Sequence, residues 1–449
     1  MDDRLPAPHT SSPFASAVSL LRYRTFRSLR HPNYRLYFVG QLVSFTGSWM
    51  QSAALLWLVF DLTAEPFWPP LLLTAQVGPT LLLGPLGGAL ADRLPKRQLV
   101  FTTQAAFMVN AGLLTLIVAA GLATPWLLLA LAVLNGFIQG IDLPVRLAFV
   151  PDLVGREDLI NAVGLNSLLF NSARAIGPAI AGVLFLLAAR VPTQTPSVLL
   201  GAVGCFSLNT ISYIAVLAAL WRIDVAGDQS GSTLRNSSSI WDGVRYLARH
   251  PGMASLVVLT GWFSVFAWPA LTLLPAYTGL VLERQQEAYS WLVSALGVGA
   301  FIGAVTTATF GTEARRGLFL LAGAMCGLAG LIGLALLHAF PFALAGCVAL
   351  GFGLILYLST GQSILQLAVP DATRGRVMAL WAMTLSASAP VGHLLAGFAA
   401  KQFTVPLVLS VMAGGVAVTT LGLLGLLLRG LQTDHDTHAA PLSRNDRVE

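Results

Sequence analysis

Twelve stretches of this chain stay apolar for about the length that a bilayer demands. They run over 34–60, 68–91, 98–120, 124–146, 160–189, 197–221, 252–281, 288–310, 317–338, 341–367, 377–400 and 404–428. A helix rises about 1.5 Å per residue, so roughly 20 apolar residues cross a hydrocarbon core of about 30 Å. With 55% hydrophobic and 10% charged residues over 449 positions, the chain also lacks the polar surface that a water-soluble protein of this size needs. The expected fold class is an all-α integral membrane protein with twelve transmembrane helices. The first 33 residues hold arginines and scattered apolar side chains, without the compact apolar core and cleavage site of a signal peptide.

A net charge of +6 on a soluble domain would suggest a nucleic-acid partner, but here topology accounts for it. When alternate loops are assigned to one side, 22 of the 26 Lys and Arg residues share that side with both termini. Arg190, Arg284 and Lys401 fall on the other side, and Arg174 lies inside a span. Cytoplasmic loops carry such an excess, so both termini are expected in the cytoplasm of a bacterial inner-membrane protein, in agreement with an even number of spans. The expected partners are the bilayer and a small-molecule substrate, not nucleic acid. Cys205, Cys326 and Cys347 all fall within spans and read as small buried hydrophobes, so no disulfide, metal or cofactor is expected.

The two parts of the chain repeat each other. Displaced by 219 residues, Arg30-His31-Pro32 falls on Arg249-His250-Pro251 and Trp49 on Trp268. At the same offset Lys96-Arg97 falls on Arg315-Arg316, and Val150-Pro151-Asp152 on Val369-Pro370-Asp371. Several matches at one offset indicate an internal repeat of six spans. The expected organisation is an N-terminal cytoplasmic segment at 1–33, a six-helix half at 34–222 and a polar linker with an amphipathic helix at 223–250. A second half at 251–428 and a cytoplasmic tail at 429–449 follow. Two such halves about an axis along the membrane normal are a transporter architecture, with substrate held mid-membrane between them and access alternating as they rock.

One loop carries charge that the spans avoid. The segment "GALADRLPKR", residues 88–97, resembles the Gly-x-Leu-Ala-Asp-Arg-x-Gly-Arg-Lys signature between spans 2 and 3 of the major facilitator superfamily. Pro95 stands where that family usually has glycine, which excludes a turn of positive φ there. The resemblance implies a conformational latch formed by Asp92, Arg93, Lys96, Arg97, Asp142 and Arg146. In it Asp92 meets the start of span 11 near Arg376, where the helix dipole favours an anion. Lys96 reaches Asp142 at the cytoplasmic end of span 4, with Arg146 one turn on. These contacts would hold the cavity closed on the inside while it faces outward. The bland alternative is that the cations only anchor the topology. Gly311 replaces the aspartate in the repeat copy, so the latch is one-sided.

The segment 141–182, with its Asp-x-Pro-x-Arg element and Asn-rich start of span 5, is similar to the enterobactin-exporter-like branch of the superfamily, which includes siderophore and drug exporters. Within it "ARAIGPAIAG" is similar to the span-5 Gly-Pro signature of antiporters, with Ala173 and Ala181 replacing two glycines. Pro178 removes a helix hydrogen bond, and Gly177 and Gly182 allow a neighbouring helix to approach closely; ordinary membrane-helix packing reads the same way.

Charge inside the membrane is costly, so each instance is a site candidate. Arg174, central in span 5, could hold an anionic or phenolate substrate, or pair structurally with a polar neighbour. Gln41, Trp49 and Gln51 of span 1, Trp268 of span 7, and Tyr357 and Gln362 of span 10 are the expected remaining substrate contacts, since spans 1, 4, 7 and 10 line the cavity in such transporters. Asp142 and His393 are the candidate proton carriers. The position of Asp142 near the cytoplasmic end favours a latch role, and a neutral packing role for His393 is equally open.

Intramembrane enzymes are the first rival class, but no His-Glu-x-x-His, Gly-x-Ser-x-Gly or paired-acid arrangement is present, and no Walker motif points to ATP. A non-transporting sensor has no signalling domain left after twelve spans. The expectation is therefore a monomeric secondary active exporter of a siderophore-like or drug-like molecule, exchanging it for protons. An importer or a lysophospholipid flippase of the same superfamily is the alternative.

Overall fold

The computed structural model describes residues 27–155, 157–224, 240–311 and 315–438. The segment before Arg27, the polar linker 225–239 and the tail beyond His438 lie outside the described residues. Among those described the chain is helical throughout, without a strand. Spans 1 to 6 are Pro32–Thr63, Trp68–Arg93, Lys96–Ala119, Pro125–Val154, Leu159–Ala188 and Ser197–Arg222. A short helix at Ile240–Arg249, the linker helix, follows. Span 7 covers Pro251–Val281, and spans 8 to 12 are Gln286–Phe310, Arg316–Leu336, Phe340–Ala368, Asp371–Gln402 and Val405–His438.

The ends of these helices follow from local chemistry. Proline sits in the first turn of spans 1, 2, 4, 7 and 10, where its missing N–H has no intrahelical partner to lose. Gly155 ends span 4 at φ 71°, a left-handed value that suits a residue without Cβ. Between spans 2 and 3, Leu94 and Pro95 lie at φ −119° and −56°, so the charged loop makes its turn without any positive φ and the proline fits.

Two boundaries differ from the hydropathy reading. Span 4 continues to Val154, two turns past the apolar run that ends at 146, because backbone hydrogen bonding carries the helix through Pro151 and Asp152. Asp142 and Arg146 therefore lie well inside span 4 and not at its end. Span 7 is not one helix: it runs Pro251–Ala267, breaks at Trp268-Pro269, resumes at Ala270–Ala276 and closes with a π turn at Tyr277–Val281. Pro269 and Pro275, which cannot donate to the helix ladder, mark the irregular region.

The halves meet along two seams, span 5 against span 8 and span 2 against span 11. On the face away from the linker helix, here the far face, both seams are closed. Phe67 packs on Phe398 with ring centroids 4.8 Å apart, Lys401 Nζ lies 3.8 Å from Glu65 Oε2, and Trp57 stacks on Tyr289 at 5.5 Å. At mid-span Gly297 approaches the Arg174 carbonyl and the Ala175 backbone so closely that no Cβ fits.

Toward the linker face the same helix faces are bare. On span 2, Thr74 reaches the Pro390 carbonyl at 3.5 Å, and the stripe it begins continues through Gly78, Leu81, Pro85 and Gly88 to Asp92. Gly78 and Gly88 have open space where a Cβ would go, and Asp92 is exposed. On span 5, Gly182 packs on Ser290, whereas Gly164, five turns away on the same face, touches nothing. The halves thus splay apart from mid-membrane to the linker face.

Candidate functional site at the seam between the halves

Midway along span 5, where Gly297 of span 8 meets its backbone, stands Arg174, which is 2% exposed and the largest fully buried side chain among the described residues. Its Cζ lies 5.9 Å from the Trp49 ring and 5.9 Å from the Trp268 ring. Trp49 belongs to span 1 and Trp268 to the break in span 7, so one tryptophan from each half flanks the cation, at matching positions of the repeat. Both indoles are half-buried, and Phe170 meets the Trp49 ring edge-on at 5.5 Å. Nε and Nη2 of Arg174 donate no hydrogen bond. Aromatic faces attract a cation but leave its N–H groups free for an anionic acceptor. The geometry is that of a box: aromatic walls, one fixed positive charge, two unused donors.

Gly177 of the Gly-Pro segment sets the box. A Cβ there would stand 2.7 Å from the Thr46 carbonyl and 2.8 Å from Trp49 Cβ, so only glycine lets span 5 reach span 1. Pro178 lies inside span 5, and Gly182 does the same for the seam with span 8, where Ser290 Cβ would be 2.9 Å away.

The other expected substrate contacts are not gathered here. Gln51 turns toward span 6, where Asn209 Nδ2 donates to its Oε1 at 2.8 Å. Tyr357 is buried between spans 10 and 7, with its hydroxyl 3.3 Å from Thr260 Oγ1 and its ring stacked on Phe263 at 4.3 Å. Both serve packing within a half. Gln362 is exposed on span 10, and Gln41 is buried with neither amide atom hydrogen-bonded. Neutral polar residues in an apolar helix read as cavity lining from the sequence, but burial against a neighbouring span satisfies them as well.

The charged loop is also arranged differently from the expectation. Lys96 does not bridge to Asp142; its Nζ lies 2.8 Å from Asp152 Oδ2, within the same half. The reason is register: Asp142 is ten residues, about 15 Å, deeper along span 4 than Asp152. Arg97 donates from Nε to the Leu220 carbonyl at 2.8 Å and from Nη2 to the Trp221 carbonyl at 2.9 Å, so it caps the C-terminus of span 6. Arg93 sits exposed in the last turn of span 2. Arg376, near the start of span 11, faces Asp242 of the linker helix, Nη1 to Oδ2 3.5 Å.

His393 is buried, with Nδ1 3.3 Å from Thr272 Oγ1, a contact between spans 11 and 7 of the second half. Asp142 keeps Arg146 beside it as expected, and gains two partners in span 3, Thr103 and Gln104, that carry no charge to mark them in the sequence. Its Oδ1 accepts from Thr103 Oγ1 at 2.7 Å and Gln104 Nε2 at 2.9 Å, while Arg146 Nε lies 3.5 Å from Oδ2. Adjacent polar residues inside the apolar span 3 were the available signal for this cluster.

Two six-span halves, closed on one face, open on the other and enclosing a cation at their seam, define a membrane transporter of the major facilitator fold. The chain matches the transmembrane secretion effector family over residues 23–445 and belongs to that family, a branch of the major facilitator superfamily. It is 26% identical over 407 residues to the enterobactin exporter EntS of Shigella boydii, spanning 89% of this chain and 92% of that one. With EntS of Escherichia coli the identity is 25% over the same coverage. Among solved structures, the nucleoside transporter NupG superposes with a TM-score of 0.68 at 13% identity, covering 88% of this chain and 99% of NupG. A bacterial homologue of the iron transporter ferroportin in an inward-facing state superposes with a TM-score of 0.62 at 18% identity, covering 88% and 98%. These likenesses establish the fold, and with the twelve apolar helices they support a multi-pass membrane protein.

Proposed function

We propose that this protein exports a small organic molecule, siderophore-like or drug-like and bearing an anionic or phenolate group on an aromatic frame, in exchange for protons. The observation that carries the reading is the Arg174 guanidinium with two unused donors between Trp49 and Trp268. Rings stack on the indoles while the charge receives an oxyanion, and because the walls come from both halves, a bound molecule is sensed by both. With the cation-rich linker face in the cytoplasm, the conformer described is inward-facing and ready to load from the cell. Similarity to the enterobactin exporters supports the outward direction and makes enterobactin the first probe. Cells lacking their own exporter but expressing this chain should secrete enterobactin and retain less of it inside. Net uptake of the probe would instead make the protein an importer.

We propose further that Asp92 acts as a latch, a reading that its exposure at the linker face of this conformer supports. It ends the span 2 stripe that faces span 11, and closure of the cytoplasmic side would carry it to the helix end where Asp242 now meets Arg376. An anion at that N-terminus is stabilising by about 0.3–2 kcal/mol, so Asp92→Asn should enrich the inward-facing population roughly two- to thirty-fold. Spin labels on Gln98 of span 3 and Leu318 of span 9, both exposed at the linker face of opposite halves, report the change as a longer mean distance. An unchanged distance distribution would reduce Asp92 to part of a topology anchor.

A further inference from the structure

We propose that Asp142 is the binding site of the coupling proton, enclosed in a polar chamber inside the N-terminal half and linked to the Arg174 box by a relay of aromatic rings. The inference rests on the antiport reading above and names the group that reading leaves open.

The two oxygens of Asp142, a residue 1% exposed, are treated differently by their surroundings. Oδ1 accepts from two neutral donors, Thr103 and Gln104, and these bonds survive whether the acid is ionised or neutral. Oδ2 accepts no hydrogen bond, and its stabilisation as an anion comes from Arg146 at 3.5 Å. A proton can therefore be added at Oδ2 without breaking a hydrogen bond. The cation left behind keeps a second partner, since Arg146 Cζ also lies 4.5 Å from the centroid of the Phe45 ring. The step is a bare proton transfer: Oδ2–H forms when the proton arrives from outside and breaks when it leaves to the cytoplasm. Asp142 facing Arg146 in the inward-facing conformer is the state after release.

The groups around this acid suit a proton. From span 1 comes Tyr37, whose buried hydroxyl is unpaired and lies within electrostatic reach of Asp142 and Arg146. Span 6 offers Tyr213, hydrogen-bonded to Ser48 at 3.1 Å. Span 3 brings Thr103 and Gln104, and span 4 the Arg146 cation. Nearer the linker face span 3 carries Arg97, which donates to the Leu220 and Trp221 carbonyls of span 6, and Lys96, which pairs with Asp152 of span 4.

The fold does not require this cluster. At the repeat offset of 219 residues Asp142 corresponds to Gly361, Arg146 to Leu365, Thr103 to Ala322, Gln104 to Gly323 and Tyr37 to Leu256. The second half builds the same helices with apolar or small residues at all five positions. A buried ion pair seldom stabilises more than the hydrophobic groups that could replace it, so its presence in one half alone points to a task.

The chamber is in physical contact with the substrate box. Arg146 lies over Phe45, Phe45 meets Phe170 edge-on at 6.0 Å, Phe170 meets Trp49 at 5.5 Å, and Trp49 flanks Arg174 at 5.9 Å. When protonation removes the carboxylate partner of Arg146, the guanidinium settles further on Phe45, and the ring series carries that shift to the wall of the box.

Two measurements test the inference, one of them free of substrate. In lipid nanodiscs the label pair on Gln98 and Leu318 should change its distance populations as the buffer is taken from acid to alkaline. The response should disappear in Asp142→Asn and return, displaced in pH, in Asp142→Glu. In proteoliposomes, the ratio of enterobactin transport with an imposed proton gradient to counterflow at equal pH should be about ten-fold or more for the wild type, and about one for Asp142→Asn. A pH response that persists in Asp142→Asn overturns the proposal, as does an unaltered gradient ratio. Absence of wild-type counterflow would sink the export reading by itself, while the label titration would still judge Asp142.

Discussion

Arg174→Met is expected to silence transport while leaving the protein at least as resistant to thermal unfolding as the wild type. The two outcomes run in opposite directions because the residue is a buried charge with no carboxylate beside it among the described residues. Methionine matches much of its volume and removes the cost of holding a cation away from water, so folding should not suffer. Substrate loses its charged donors: one hydrogen bond to a charged group contributes about 1.5–3 kcal/mol, or roughly a ten- to 150-fold loss of transport. Arg174→Lys should recover only part of this, since an ammonium presents a point charge without the planar fork. Secretion of enterobactin, scored against membrane protein level and melting temperature, checks all three forms together. Should Arg174→Met disappear from the membrane, the guanidinium is a folding element and the box has another purpose.

The second large effect is expected at Gly297, on the seam where the two halves meet at mid-span. A Cβ at this position would lie 2.5 Å from Ala175 Cα and 2.7 Å from the Arg174 carbonyl oxygen. These are backbone atoms, which cannot rotate aside as a side chain can. Gly297→Ala must therefore push span 8 away from span 5 next to Arg174, at about 1–3 kcal/mol for an overpacked contact. That corresponds to a shift of about five- to 150-fold in the equilibrium between states of the seam. Transport should fall and the melting temperature with it. Gly204→Ala on span 6, where nothing lies within 4 Å of the added carbon, is the control and should behave as wild type. Equal behaviour of the two variants would mean that the seam opens at Gly297 at little cost.

Much of this architecture is legible in one dimension. Span length and the six-span repeat are sums over neighbouring residues, and bilayer thickness converts them directly into twelve helices. Arg174 stands out for the same reason, because a charge in the middle of an apolar run is costly wherever it points. Trp49 and Trp268 were legible through the repeat: matching positions in two similar halves fall at matching depths, and the axis between the halves brings them to the same cation.

What a polar side chain touches was decided only by the tertiary structure. The spans are apolar nearly all round, so helical periodicity hardly distinguishes the face toward the cavity from the face toward a neighbouring span. Gln51 and Tyr357 read as cavity lining, and packing turned them to Asn209 and Thr260. Lys96 and Asp142 read as partners, but span 4 runs two turns further than its apolar stretch, and that extension puts Asp152 beside Lys96 and Asp142 deep among Thr103, Gln104 and Arg146. Hydropathy fixes how many helices can cross; helix length, breaks at proline and the angle of approach fix which atoms meet, and those depend on neighbours that are distant in sequence.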